Sequence, residues 1–148
     1  MKKVNRQAIV PYSCQQMFEL VNDIEQYPEF LPYCGGSEII ERQAERVIAT
    51  LTVSKGSFEQ RFTTKNINKP FSAIEMSLVD GPFKYLNGLW SFTELSEQAS
   101  KIELTIEYEF SNKLLGLAFG NIFSQLAESF VDAFTQRARE LYKVNHFE

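Results

Sequence analysis

Few side chains in this sequence are placed to do chemistry. The only histidine, His146, stands close to the last residue, in a tail expected to fray, which gives no support to a His-based triad or metal site. Cys14 and Cys34 are the only cysteines. They form no C-x-x-C pair and have no adjacent histidine or basic group, so they read as reduced structural thiols rather than nucleophiles. H-E-x-x-H, G-x-G-x-x-G and phosphate-loop patterns are missing from the sequence. Glu103, Glu107 and Glu109 alternate along a strand and belong to its wet face, and Asp80 precedes Gly81 in a turn. That leaves Gln60, a polar side chain on an otherwise apolar strand face. It either bonds backbone near a strand end or serves as the polar anchor of an apolar pocket.

The aromatics offer a different kind of chemistry. They make up 14% of the chain, with 13 Phe, enough apolar surface for a core or for a cavity wall. Phe58, Phe62, Trp90, Phe92, Phe119, Phe123 and Phe130 fit either role. The stretch Leu114, Leu115, Leu117, Ala118 and Phe119 is apolar nearly all round, more than one buried stripe needs. Gly116 and Gly120 interrupt it at about 1 kcal/mol each relative to Ala. Such glycines imply close approach by another group, or an end that opens.

The elements that must position these residues follow from periodicity. Lys3 to Val10 reads as a strand ended by Pro11. Ser13 with Gln16 forms a capping box that opens a helix ending near Asn22. Asp23 caps a second, shorter turn that stops near Pro28, and Pro32 with Gly35 and Gly36 breaks the chain again. From Glu38 the period is two. Val47, Ala49, Leu51 and Val53 share a face, as do Phe58, Gln60 and Phe62, then Ile74, Met76 and Leu78, then Leu86, Gly88, Trp90 and Phe92. Ile102, Leu104, Ile106, Tyr108 and Phe110 show the cleanest alternation. From Leu114 to Tyr142, apolar residues recur at Leu115, Phe119, Ile122, Phe123, Leu126, Phe130, Phe134, Ala138 and Leu141, a helix of roughly 30 residues and about 45 Å. Asn112 or Ser111 caps it. One strand, two short helices, about six meandering strands and a long helix make an α+β domain: a curved antiparallel sheet of about seven strands wrapped around one C-terminal helix.

The chain has 148 residues, which fits a single domain over residues 1–148. A net charge of −4 argues against broad nucleic-acid binding, so no DNA partner is expected. Met1 to Val4 lacks the apolar stretch of a signal peptide, and no run of some 18 apolar residues occurs, so a cytoplasmic protein is expected.

Two motifs carry a resemblance: V-N-D-I-E-Q-Y-P-E-F-L-P-Y-C from Val21 to Cys34, and G-P-F-K-Y-L-N-G-L-W-S-F from Gly81 to Phe92. Both resemble the fingerprint of the coenzyme Q-binding, START-like family of the polyketide cyclase/START superfamily. L-V-D-G-P-F-K from Leu78, F-T-E-L-S from Phe92, and S-N-K-L-L-G-L-A-F-G from Ser111 resemble its ribosome association toxin branch. The chain departs from the family loop at Tyr33, where Trp or Gly usually precedes the cysteine. The resemblance implies a helix-grip fold with a hydrophobic tunnel between sheet and helix. It also implies ubiquinone or a similar isoprenoid lipid as bound ligand, no required cofactor, and a link to respiration. For the toxin branch it implies binding to the large ribosomal subunit, a block on its joining the small one, and a small antitoxin-like partner.

On the carrier reading, Leu51, Val53, Phe58, Phe62, Met76, Leu78 and Trp90 form one wall and Phe119, Phe123, Leu126 and Phe130 the other. Tyr27, Pro28, Phe30, Leu31 and Pro32 form a flap at the mouth, and Gln60 meets a quinone oxygen. Such a protein is not an enzyme, and its ligand brings peripheral contact with the inner membrane. On the ribosomal reading, Lys2, Lys3, Arg6, Arg61, Lys65 and Lys84 contact rRNA locally. An enzyme related to the cyclases of the same broad fold would need polar groups converging inside the pocket, and beyond Gln60 and a few Tyr the sequence supplies few.

Overall fold

In the computed structural model, which describes residues 2–142, seven strands form one fully antiparallel sheet in the order β1-β7-β6-β5-β4-β3-β2. His146 lies outside the described residues. The chain runs β1 (Lys2–Val10), α1 (Cys14–Asn22), a 3₁₀ turn (Ile24–Glu29), β2 (Cys34–Arg42), β3 (Arg46–Lys55), β4 (Phe58–Lys69), β5 (Ala73–Asp80), β6 (Phe83–Ser96), β7 (Ala99–Phe110) and α2 (Lys113–Leu141). β1 and β2, consecutive strands, stand at opposite edges of the sheet, and α1 with the 3₁₀ turn carries the chain between them. The sheet curls around α2, giving the helix-grip arrangement that the sequence pattern and the resemblance implied.

Local chemistry sets the helix starts. Ser13 Oγ accepts from the Gln16 amide at 3.1 Å, and Gln16 Oε1 accepts from the Ser13 amide at 2.9 Å, closing the capping box. Asn112 Oδ1 accepts from the Leu115 amide at 2.9 Å and starts α2. α2 buries Phe119, Phe123, Leu126, Ala127, Phe130, Val131, Phe134 and Ala138 against the concave face. Its most apolar 18 residues reach a mean hydropathy of 1.3, enough by composition and length to cross a membrane, yet here the phenylalanine stripe packs on the sheet.

Two local expectations need correction. Gly35 and Gly36 do not end the strand but lie within β2, where the register shifts between Cys34 and Gly36 and a Cβ at Gly35 would sit 2.3 Å from Ser54 Oγ, so a larger residue would require that hydroxyl to turn aside. Leu141 is half exposed rather than part of the buried stripe. The end of α2 is fixed instead by Tyr142, whose hydroxyl donates to the Gln16 carbonyl at 3.1 Å.

The glycines at the start of α2 face Phe110. Its ring lies against both, with ring carbons 3.6 Å and 3.8 Å from where the Cβ atoms of Gly116 and Gly120 would stand. These are ordinary contact distances, so Phe110 packs on this stretch without requiring glycine at either position.

Gly81 joins β5 to β6 at φ 151, and a Cβ there would fall 2.7 Å from Phe62 Cβ and 3.2 Å from Phe62 Cα. Gly56 turns β3 into β4 at φ 62 with nothing within 4 Å of its Cβ position. Gly81→Ala is therefore expected to cost about 2 kcal/mol or more in urea unfolding, because strain and clash add. Gly56→Ala is expected to cost about 1 kcal/mol from strain alone. Equal losses would show that the contact with Phe62 relaxes freely.

Candidate functional site: a cavity between sheet and helix

Sheet curvature and the spacing of bulky residues on α2 leave an internal cavity of about 50 Å³. Sheet residues Ala49, Leu51, Phe62, Thr64, Asn66, Met76, Leu86, Gly88, Trp90 and Ile106 form one side. Phe123, Phe130 and Phe134 of α2, with Ile24 and Tyr27 of the 3₁₀ turn, form the other. The void sits where the sheet contributes small side chains, Ala49, Thr64 and Gly88. Met76 partly fills the space over Gly88, its terminal methyl 2.4 Å from where a Cβ would stand.

Among the described residues, no Asp, Glu, Lys, Arg, His or Cys lines this cavity. Its polar groups are Thr64, Asn66 and the Tyr27 hydroxyl. Thr64 Oγ1 donates to Asn66 Oδ1 at 3.0 Å, and Asn66 is itself buried, so the pair is a small polar island in an apolar wall. The Tyr27 hydroxyl donates to the Val21 carbonyl. Burial, with lesser contributions from Cys34 and Asp23, pushes its pKa far above the ordinary phenol value. That proton is committed to holding the 3₁₀ turn on α1.

Of the residues expected to bind ligand, the structure brings Tyr27, Leu51, Phe62, Met76, Trp90, Phe123 and Phe130 to the cavity. Val53, Phe119 and Leu126 are buried elsewhere in the core, while Phe58 and Leu78 are half-buried. Phe58 stacks on Phe119 with centroids 5.6 Å apart, beyond the end of the void. Gln60, opposite Val53, shares the concave face but does not reach the cavity. Around the turn, Leu31 is buried, Pro28 half-buried and Pro32 exposed. Phe30 packs 5.1 Å from Phe134 and lies under the Arg137 guanidinium at 5.1 Å. Sequence reasoning missed Ile24, Ala49, Thr64, Asn66, Leu86, Gly88, Ile106 and Phe134 as lining. Continuing the face of Phe58, Gln60 and Phe62 by steps of two would have reached Thr64 and Asn66.

The thiols are not activated. Burial raises the pKa of Cys34, against a smaller lowering by a backbone hydrogen bond at Gly36, and burial and then Glu94 raise that of Cys14. Among the described residues, no group of three His, Cys, Asp or Glu could hold a metal ion.

The six basic residues proposed for RNA fall into separate places. Lys2, Lys3 and Arg6 lie on edge strand β1, and the Arg6 guanidinium is engaged by Glu128 of α2. Arg61 and Lys65 lie on the convex face of β4, with β5, β6 and β7 between them and β1, about 19 Å across the sheet. Lys84 of β6 stands 3.9 Å from Glu109.

Comparison with known proteins adds to this geometry. Residues 10–135 match the family model described as polyketide cyclase / dehydrase and lipid transport. The chain is 51% identical over 142 residues to the ribosome association toxin RatA of Vibrio cholerae serotype O1, covering 96% of this chain and 99% of that protein. It is 27% identical over 135 residues to the mitochondrial coenzyme Q-binding protein COQ10 of Dictyostelium discoideum, covering 88% and 66%. The solved structure of the 18 kDa protein CC1736 from Caulobacter crescentus aligns at TM-score 0.74 and 28% identity, covering 97% and 100%. The ZhuI aromatase/cyclase of Streptomyces sp. R1128 aligns at TM-score 0.81 over 97% and 96%, but at 14% identity, which shows shared fold alone.

The Thr64–Asn66 pair makes a stability prediction. Thr64→Val leaves the Asn66 carbonyl oxygen without its donor and should cost about 1–2 kcal/mol. The double variant Thr64→Val with Asn66→Leu should cost less than the two single changes together, by about 1 kcal/mol, in a chemical-denaturation cycle. Strict additivity would mean that the two side chains are not coupled.

Proposed function

We propose, because this chain belongs to the ribosome association toxin RatA family within the polyketide cyclase / dehydrase and lipid transport family, that it is a non-enzymatic interaction protein acting on ribosome association. The observation that carries this reading is 51% identity spread over 96% of the chain, which takes in the outer surface as well as the core. The partner is the large ribosomal subunit, the effect is to block its joining the small subunit, and a small antitoxin-like protein, RatB, is the counterpart. Contact with rRNA is local, since a chain of net charge −4 has no broad electrostatic pull on phosphate. Arg61 and Lys65 on the convex sheet face and the lysines near β1 are two separate candidate patches for it.

The cavity favours a second, compatible role: binding a neutral apolar ligand, an isoprenoid quinone being the class that fits the family. An uncharged lining with a single polar island suits a molecule that is mostly hydrocarbon with one or two acceptor oxygens. The Asn66 amide is the donor for such an oxygen, in the part first given to Gln60. Burial at about 25 cal/mol per Å² of apolar area then supplies most of the affinity. Ligand pockets usually measure about 300–1,000 Å³, so a cavity of about 50 Å³ must widen to accept one. Met76, with its flexible thioether over Gly88, is the side chain best placed to swing aside. The protein works in the cytoplasm on both readings.

Sucrose-gradient profiles test the first role. Added protein should sediment with large subunits and deplete joined ribosomes in favour of free subunits. Charge reversal at Arg61 and Lys65 together should weaken that binding by roughly tenfold if they contact phosphate; a profile insensitive to salt and to this reversal removes the patch from the interface.

Quinone uptake tests the second. Protein from its own host should release quinone on organic extraction before native mass spectrometry. Phe130→Asp should abolish uptake, and Asn66→Leu should weaken it about fivefold for one lost hydrogen bond. A folded Phe130→Asp protein that retains quinone unchanged would refute this lining.

A further inference from the structure

The outer surface at the start of α2 combines large apolar side chains with lysines. Leu114 and Leu117 are 75% and 83% exposed, among the most exposed large hydrophobics of the described residues. Three residues apart on a helix, they lie on one side of it, and exposed Ala118 extends the patch. Lys113 opens the same turn. Lys2 and Lys113 line one groove with Leu117, and Lys84 joins both lysines in the adjoining groove. Glu109, 3.9 Å from Lys84, is the one acidic side chain among the described residues in either groove. Three lysines therefore face one carboxylate on a chain whose overall charge is −4. The amino-terminal end of α2 adds its own partial positive charge to that side.

We infer that this end of α2 is a docking surface for an anionic lipid bilayer, into whose headgroup region Leu114 and Leu117 insert while Lys2, Lys84 and Lys113 meet lipid phosphates. Charge complementarity selects an anionic partner, and the leucines select a bilayer over RNA. Phosphate backbones offer nothing to two largely exposed leucines, whereas a membrane interface takes up apolar side chains and pairs flanking lysines at once. The surface lies on the outside of the molecule, so it does not depend on whether the cavity takes a ligand.

The test uses the full chain and two kinds of vesicle, phosphatidylcholine alone and an equimolar mixture with phosphatidylglycerol. Co-sedimentation should favour the anionic vesicles by roughly tenfold or more, since each interfacial lysine contributes about fivefold. The double variant Leu114→Ser with Leu117→Ser should lose roughly tenfold in vesicle binding at an unchanged unfolding midpoint, both side chains being solvated. Leu117→Trp gives a readout independent of that loss. Its emission should shift to the blue on adding anionic vesicles and be quenched by brominated acyl chains. Three results would each overturn the proposal: no binding of the wild type to anionic vesicles, undiminished binding by the serine variant, or an unshifted emission spectrum from the Leu117→Trp variant. A serine variant that lost self-association or large-subunit binding while still binding vesicles would assign the leucines to a protein or RNA contact instead.

Discussion

The fold rests on a row of phenylalanines on one helix and on a sheet curved enough to reach them from three sides. Phe83, at the start of β6, is the centre of the tighter half. Its ring lies 4.9 Å from Phe123, 5.1 Å from Phe110 and 5.7 Å from Phe62. At the other end, Phe134 meets Trp90 at 5.3 Å, Tyr27 at 5.2 Å and Phe30 at 5.1 Å, tying the 3₁₀ turn to the helix. Phe83 stacks on Phe110 and the other pairs meet edge to face, geometries that add to the burial of their area. Between the two clusters, Phe123 and Phe130 are seven residues apart on α2, about 10.5 Å along the axis. The cavity lies along this interval, where Ala49, Thr64 and Gly88 of the sheet bring little volume to meet the helix. It is thus the gap between two aromatic contacts, and its position is set by residues that make no contact with it at all, Phe83 and Phe110 among them.

That dependence explains what was legible in the sequence. Strand faces and the buried stripe of α2 follow from local periods of two and 3.6, and each assigned face of β3 to β7 points as the alternation said. Depth within the fold is not a local property. Gln60, Thr64 and Asn66 share one face of β4, and periodicity cannot tell which of them lies opposite the gap. Helix position along the strand decides it, and that is fixed by the Phe83 cluster many residues away. Gly35 and Gly36 were opaque for a similar reason. Their meaning is the passing Ser54 side chain on a strand not yet formed when one reads the local sequence. Gly116 and Gly120 stay unexplained by packing, because Phe110 lies beside them at distances that would also admit alanine.

The contents of the cavity bear on what the fold does here. A shared helix-grip architecture is compatible with cyclisation chemistry and with simple carriage, and only the lining discriminates between them. Acid–base catalysis near neutral pH requires a group that gives and takes a proton at that pH. Around this cavity the titratable candidate is Tyr27, whose hydroxyl is occupied by the Val21 carbonyl and whose pKa burial drives upward, away from neutrality. Thr64 and Asn66 hydrogen-bond without titrating. Such a lining suits the neutral apolar ligand proposed above better than it suits acid–base turnover.

Interior and exterior are also separable in physical terms. The cavity is bounded by side chains on the concave face, while Arg61, Lys65 and the exposed leucines of α2 all point away from it. The element common to both is α2, which presents Phe123 and Phe130 inward and Leu114 and Leu117 outward. A ligand that widened the cavity would have to displace this helix or the side chains between it and the sheet. Displacement of the helix would be transmitted at its start through Phe110, which packs against Gly116 and Gly120. Rotation of Met76 alone would absorb a small ligand with no change outside. Coupling between the inside and the outside of this protein therefore turns on how much volume the ligand demands beyond what Met76 can vacate.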